Sequence, residues 1–147
     1  MQVTLAKSAG FCYGVRRAVE LAEEAAAKGP VYLLGHITHN DHVIARLRQL
    51  GAVTVHTPEQ APEGATVLIR AHGEPDEVYR RLEQRGCVVM DATCPNVVRI
   101  HDLVRQAEEK GRVPVIIGTP TTQKSLALRG APGGRWWLPI GNPLNRF

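Results

Sequence analysis

The chain is short of the features that would place it quickly. It has three cysteines in 147 residues and no C-x-x-C pair, so neither a disulfide scaffold nor a thioredoxin-type thiol pair is indicated. No run approaches the roughly 20 apolar residues of a membrane span. The start, MQVTLAKSAG, lacks the charged-then-apolar pattern of a secretory leader, so a cytoplasmic protein is expected. There is no P-loop, no GxGxxG, no fixed-period repeat and no low-complexity tract. Acidic residues are missing altogether after Gly118. That last absence accounts for the formal charge of +4: Lys124, Arg129, Arg135 and Arg146 fall in the acid-free stretch, and the preceding body is neutral. A net positive charge gathered in one tail, with no aromatic-interleaved motif to support it, argues against a nucleic-acid interface.

What is present is enough for one ordinary domain, or little more than one small lobe. Apolar residues make up 44% of the chain, sufficient for a core. Residues 2–6 (QVTLA) read as a strand. Val15, Ala18, Val19 and Ala22 recur at the helical period over 14–28, and Gly29-Pro30 ends that run. VYLLG (31–35) reads as a buried strand. Residues 40–51 read as a helix, with Asn40 or Asp41 as its N-cap and Gly51 as its stop. AVTVH (52–56) is strand-like and 57–64 is loop. ATVLIRAHG (65–73) is the strongest strand pattern. Residues 75–86 open on Pro and close on Gly, as a helix does. CVVMDATCP (87–95) is strand then turn, 96–111 a helix with Asn96 as candidate cap, and VPVIIG (113–118) a final strand. Strands alternate with helices throughout, so the expected class is α/β with a mostly parallel sheet.

In such a sheet, ligands gather at the carboxyl ends of the strands. Cys12, His36, His39, His72 and Cys94 all fall in expected strand-to-helix turns. A thiol at a helix N-terminus gains thiolate character from the helix dipole and nearby N–H groups, which suits a metal ligand or a nucleophile. Position alone is equally compatible with two ordinary semi-buried cysteines. Cys87 opens an apolar strand and reads as a packed core cysteine. His39 and His72 can hold a metal, donate to a phosphate or shuttle a proton. Two histidines and two cysteines at equivalent turns point to one shared site. His42, His56 and His101 lack that context and read as solvent-facing or structural; His36 is left unassigned. A zinc site built from two Cys and two His and an iron–sulfur site with thiolate ligands are both compatible with this set. Gly14, Gly35, Gly73 and Asn40 are candidate donors to an anion.

GFCYGVRRAV, THNDHVI, RAHGE and DATCPNV, in this order, resemble the 4-hydroxy-3-methylbut-2-enyl diphosphate reductase family. The resemblance covers residues 1–118 almost continuously. It implies the iron–sulfur oxidoreductase of the last step of the non-mevalonate isoprenoid pathway, built of three similar α/β lobes around a central cluster. Residues 1–95 then correspond to the first lobe, with both cysteine motifs, and 96–118 to the start of the second. By the same resemblance, Cys12 and Cys94 are two of the three thiolate ligands of a 4Fe–4S cluster. His39 and His72 bind the substrate diphosphate. Ferredoxin or flavodoxin supplies electrons for a reductive dehydroxylation that gives isopentenyl and dimethylallyl diphosphates.

The chain departs from that family after Gly118. The family's HPEV motif, whose histidine binds diphosphate and whose glutamate relays a proton, is replaced by TPTTQKSL, and a third cluster cysteine is absent. Back-translated and read one base earlier, from the third base of the Gly118 codon, TPTTQKSLALRG can become HPDHPEVAGIAG with suitable synonymous bases. Residues 119–147 are therefore expected to be a frameshifted tail, the alternative being a natural divergent one. The chain as written is expected not to turn over substrate. A metal- or phosphate-binding module and a non-functional fragment are the other functional readings.

Overall fold

The strongest strand pattern of the sequence lies at the middle of a parallel sheet. In the computed structural model, which describes residues 2–7, 9–117 and 136–138, the chain runs α1 (Tyr13–Lys28), β1 (Val31–Leu34), α2 (Asp41–Gln49), β2 (Ala52–Val55), a 3-10 turn (Pro58–Gln60), β3 (Thr66–Ile69), α3 (Asp76–Gln84), β4 (Val88–Asp91), α4 (Pro95–Glu109), β5 (Val115–Ile117) and β6 (Trp136–Leu138). The first four strands form one sheet in the order β2-β1-β3-β4, every pair parallel. Val31 aligns with Ala52 on one side and Thr66 on the other, and Thr66 with Val88. β5 and β6 form a separate parallel pair, with Val115 opposite Trp136.

The two faces of the sheet are covered by different helices, which is why the strands read as apolar runs rather than alternating ones. Val31 and Leu33 of β1 and Leu68 of β3 pack with Ala18, Ala22, Ala25 and Ala26 of α1 and Leu47 of α2. The alanines recur at the helical period and keep the helix close to the strands. On the other face, Leu34, Val55, Val67 and Ile69 pack with Leu82 of α3 and Ala61. Leu68, Ile69, Val31 and Val67 are among the largest fully buried side chains. α4 differs from the other helices: it contributes no fully buried residue, and Val98, Ile100 and Leu103 are exposed.

The expected strand over residues 2–6 does not form. That segment is irregular, with Val3 80% and Leu5 83% exposed. Alternation and β-branching are not sufficient for a strand; its N–H and C=O groups need a neighbouring ladder, and neither β2 nor β4, the two edge strands, pairs with it. Cys12 accordingly follows an irregular segment. Residues 119–147, expected from the sequence to be an aberrant tail, lie outside the described residues except for the backbone of β6.

Candidate active site

The chain leaves β1 to form β2 on one side, then returns to place β3 on the other. Brought to the same end of the sheet are the turn after β1 (35–40), the turn after β3 (70–75) and the turn after β4 (92–94). This is the topological switch point of an open parallel sheet, where a crevice forms because consecutive turns diverge to opposite sides. A cavity of about 260 Å³ opens at this end of the sheet. Its walls are Cys12, Gly14, Val15, Ala71, His72, Cys94, Asn96, Val97 and Ile100.

Both thiols sit at helix N-caps. Cys12 precedes α1 and Cys94 precedes α4, with Pro95 at the first helical position rather than the expected cap at Asn96. Neither makes a side-chain capping bond. The contrast is α2, where the Asn40 side-chain oxygen accepts from His42 N at 3.1 Å and Val43 N at 3.2 Å. Oxygen-bearing caps stabilise a helix by about 1 kcal/mol over residues that cannot cap. α1, α3 and α4 all lack such a bond, α3 carrying Pro75 at its N-cap; at the two helices that wall the cavity the cap positions carry thiols.

Gly14 brings these helix ends together. It is the only described glycine without a positive φ, so its backbone does not require glycine; its contact does. A Cβ at Gly14 would lie 2.7 Å from Cys94 Sγ and 2.8 Å from Cys94 Cβ. The second glycine of GFCYGV is thus a gap that admits a cysteine eighty residues away.

The Cys94 turn is held from several sides. Asp91 Oδ1 accepts from Thr93 N at 2.8 Å and from the Thr93 hydroxyl, while Asp91 Oδ2 accepts from the Tyr79 hydroxyl at 3.1 Å. Burial pushes the Tyr79 hydroxyl up to about 12, and the charge of Asp91 acts in the same direction. Arg17 Nη1 donates to the Thr93 carbonyl at 3.3 Å, and Cys94 N donates to Ala71 O at 3.0 Å. At the neighbouring crossover, Arg70 pairs with Glu74 at 2.6 Å, with side chains only 14% and 12% exposed. The Arg70 guanidinium lies over Gly35, whose φ of +75° and lack of a Cβ admit it; a Cβ there would meet Nη1 at 2.5 Å.

Three of the four residues singled out in the sequence, Cys12, Cys94 and His72, line the one cavity. His39 lies on the turn after β1, exposed, and is not among the lining residues. Two of the expected anion donors are engaged elsewhere, Gly35 N with Val55 O at 2.7 Å and Gly73 N with Arg70 O at 3.0 Å, while Asn40 uses its side-chain oxygen to cap α2 and Gly14 lines the cavity. Cys87 is half-buried at the opposite end of β4, with its sulfur 3.6 Å from Pro62 O; four residues of strand, about 13 Å, separate it from the cavity end. His36 and His56 meet edge to face, with centroids 5.8 Å apart. His101 is half-buried, with Cε1 beside Gly73. Sequence reading passed over Tyr79, Thr93, Arg17 and the Arg70–Glu74 pair. Only Thr93 had a local clue, since an Asp followed two residues on by a backbone donor is an Asx-turn pattern.

Among the described residues, no group of three or more His, Cys, Asp and Glu side chains could hold a metal ion. What the cavity offers a metal centre is two soft thiol donors, Cys12 and Cys94. That pair fits partial ligation of a thiolate-bound iron or zinc centre, whose remaining ligands are not supplied among the described residues. No helix among the described residues is long and apolar enough to cross a membrane.

These features define a parallel α/β domain with paired thiols at its ligand-binding end. The family model described as LytB protein matches residues 3–137, and the chain belongs to that family. It is 44% identical over 120 residues to the 4-hydroxy-3-methylbut-2-enyl diphosphate reductase of Aquifex aeolicus, covering 80% of this chain and 41% of that protein. The reductase of Aromatoleum aromaticum is 42% identical over 119 residues, covering 80% and 38%. Against the solved structure of a (E)-4-hydroxy-3-methyl-but-2-enyl diphosphate reductase, described as the terminal enzyme of the non-mevalonate pathway, the TM-score is 0.80 at 36% identity, covering 96% of this chain and 51% of that one. The Plasmodium falciparum enzyme superposes with a TM-score of 0.80 at 28% identity, covering 84% and 40%. The chain thus spans about two fifths to one half of the relatives it matches.

Proposed function

We propose that this chain is the N-terminal portion of a 4-hydroxy-3-methylbut-2-enyl diphosphate reductase, a cytoplasmic iron–sulfur enzyme of the non-mevalonate pathway. The observation that carries the reading is the convergence of Cys12 and Cys94, from the N-termini of two helices far apart in sequence, on one cavity that His72 also lines. Cys12 and Cys94 are the residues that would hold two irons of a 4Fe–4S cluster. Bound there, such a cluster supplies electrons and an open iron as Lewis acid. Its third thiolate is not Cys87, which faces the other end of the sheet.

The chain's own residues supply the surroundings. His72 presents an imidazole at the cavity wall, where it donates a hydrogen bond to an anionic substrate group and, when protonated, offsets its charge. His39, on the adjoining turn, reaches the same diphosphate from outside the cavity. Val15, Val97 and Ile100 give the cavity wall apolar surface that suits the hydrocarbon part of an allylic diphosphate. Ferredoxin or flavodoxin is the electron donor. Residues 119–147 are read as a shifted frame of the HPEV-bearing continuation; the family match running on to residue 137 is the observation this reading has to meet.

The test begins with the DNA across the Gly118 codon. The frame one base earlier is expected to read HPDHPEV and continue to a third cysteine. Expressed in that frame and reconstituted anaerobically, the protein should reduce the diphosphate substrate with a reduced viologen dye. Cys12→Ser or Cys94→Ser should abolish turnover, His39→Ala and His72→Ala should raise KM, and the 147-residue chain should be inactive. Turnover that survives Cys12→Ser and Cys94→Ser would overturn the assignment.

A further inference from the structure

Thr93 is buried and sits where three separate parts of the site meet. Its amide and hydroxyl both donate to Asp91 Oδ1. Its carbonyl accepts from Arg17 on the helix that follows Cys12. Its methyl and hydroxyl lie against Gly73, immediately after His72, where a Cβ would come within 3.2 Å and 3.3 Å of them. The next residue is Cys94. One residue thus touches the turn bearing His72 with its side chain, fixes the turn bearing Cys94 with its amide and hydroxyl, and through its backbone carbonyl ties down the helix that follows Cys12.

We propose that Thr93, locked by the Asp91 carboxylate, is a positioning residue that sets the Cys94 thiol and the Cys12 helix end in register with the His72 turn. The proposal rests on the reading that these thiols are the working groups of the site. Several observations favour a positioning role over ordinary turn packing. Asp91 is held on its second oxygen by Tyr79, so the acceptor that locks Thr93 is itself fixed. Gly14 leaves no slack between α1 and Cys94. Neither thiol is held by a capping bond of its own, so the orientation of both depends on the backbone around them. A soft-metal site gains from such pre-set ligands because less ordering is left to the binding step.

The experiment is alkylation of the three thiols in the metal-free 147-residue chain with iodoacetamide, followed residue by residue by mass spectrometry. Cys87 is the internal reference: it is half-buried like Cys94, but at the far end of β4. Thr93→Val keeps the shape and removes the hydroxyl bond. It is expected to raise the Cys94 rate about fivefold relative to Cys87, the population change that follows from losing one net hydrogen bond. Thr93→Ser keeps the hydroxyl and should restore the rate to within about twofold of the parent. If Thr93→Val does not fold, Tyr79→Phe carries the same test by freeing Asp91. An unchanged Cys94 rate in a folded variant overturns the proposal, and so does an equal rise at Cys87, which would mean general loosening. Because no metal is present, failure here leaves the cluster reading standing, and failure of the cluster reading leaves these rates standing.

Discussion

Gly14→Ala offers a test whose sign alone decides it. On helix propensity the substitution should stabilise the chain, by up to about 1 kcal/mol in a helix interior and less in the first turn. The packing says the opposite. The new methyl would stand 2.7 Å from Cys94 Sγ and 2.8 Å from Cys94 Cβ, well inside van der Waals contact. Rotation about the Cys94 side chain can move the sulfur away. It cannot move the Cβ, which is fixed by a backbone anchored through Cys94 N to Ala71 O at 3.0 Å and through Thr93 to Asp91. Relief therefore requires α1 and α4 to shift apart, an overpacking cost of about 1–3 kcal/mol. The expected net effect is a loss of about 1–2 kcal/mol, seen as a melting temperature lowered by roughly 3–8 °C. A double-mutant cycle locates the cause: in a Cys94→Gly background, which lacks both opposing atoms, Gly14→Ala should be neutral or stabilising, a coupling of about 2 kcal/mol. Measured by thermal and urea denaturation, a stabilised Gly14→Ala in the parent background would refute the close approach, and with it the shared cavity.

Two further outcomes follow from the same geometry. Leu68→Ala, at a fully buried position of β3, should cost about 2–5 kcal/mol, whereas Leu103→Ala, at an exposed position of α4, should stay within about 0.5 kcal/mol; equal effects in urea denaturation would contradict the placement of the core. Tyr79 titrates at about 12 rather than 10, chiefly because of burial. Its folded value is raised, so the stability it contributes is fully present below pH 10 and is lost as pH rises towards 12. Tyr79→Phe should flatten that alkaline fall in the denaturation midpoint, and an unchanged fall would assign it to another group.

The chain's local periodicities determined a good deal. Apolar runs and helical repeats placed β1, β2, β4, β5 and the four helices within about two residues of where they form, because each pattern is written over consecutive residues; β3 ends at Ile69, short of the strand expected to run to Gly73. Asn40 as a cap and the glycine stops were readable for the same reason. The placement of Cys12 and Cys94 at helix starts was readable too, and with the motif resemblance it named the candidate residues. The failure at residues 2–6 has the converse cause: a strand exists only if another strand lies beside it, and no local pattern supplies that partner. Strand order is equally non-local. Only the placement of β3 beside β1, on the side away from β2, brings the histidine-bearing turns to adjoining strand ends. The contact of Gly14 with Cys94, the tie from Arg17 to Thr93 and the grip of Tyr79 on Asp91 join residues too far apart in sequence for any window to connect. The sequence by itself therefore determined which residues are chemically able, and the tertiary structure decided which of them share a cavity, because that depends on how the sheet is ordered and how closely two helix ends can approach.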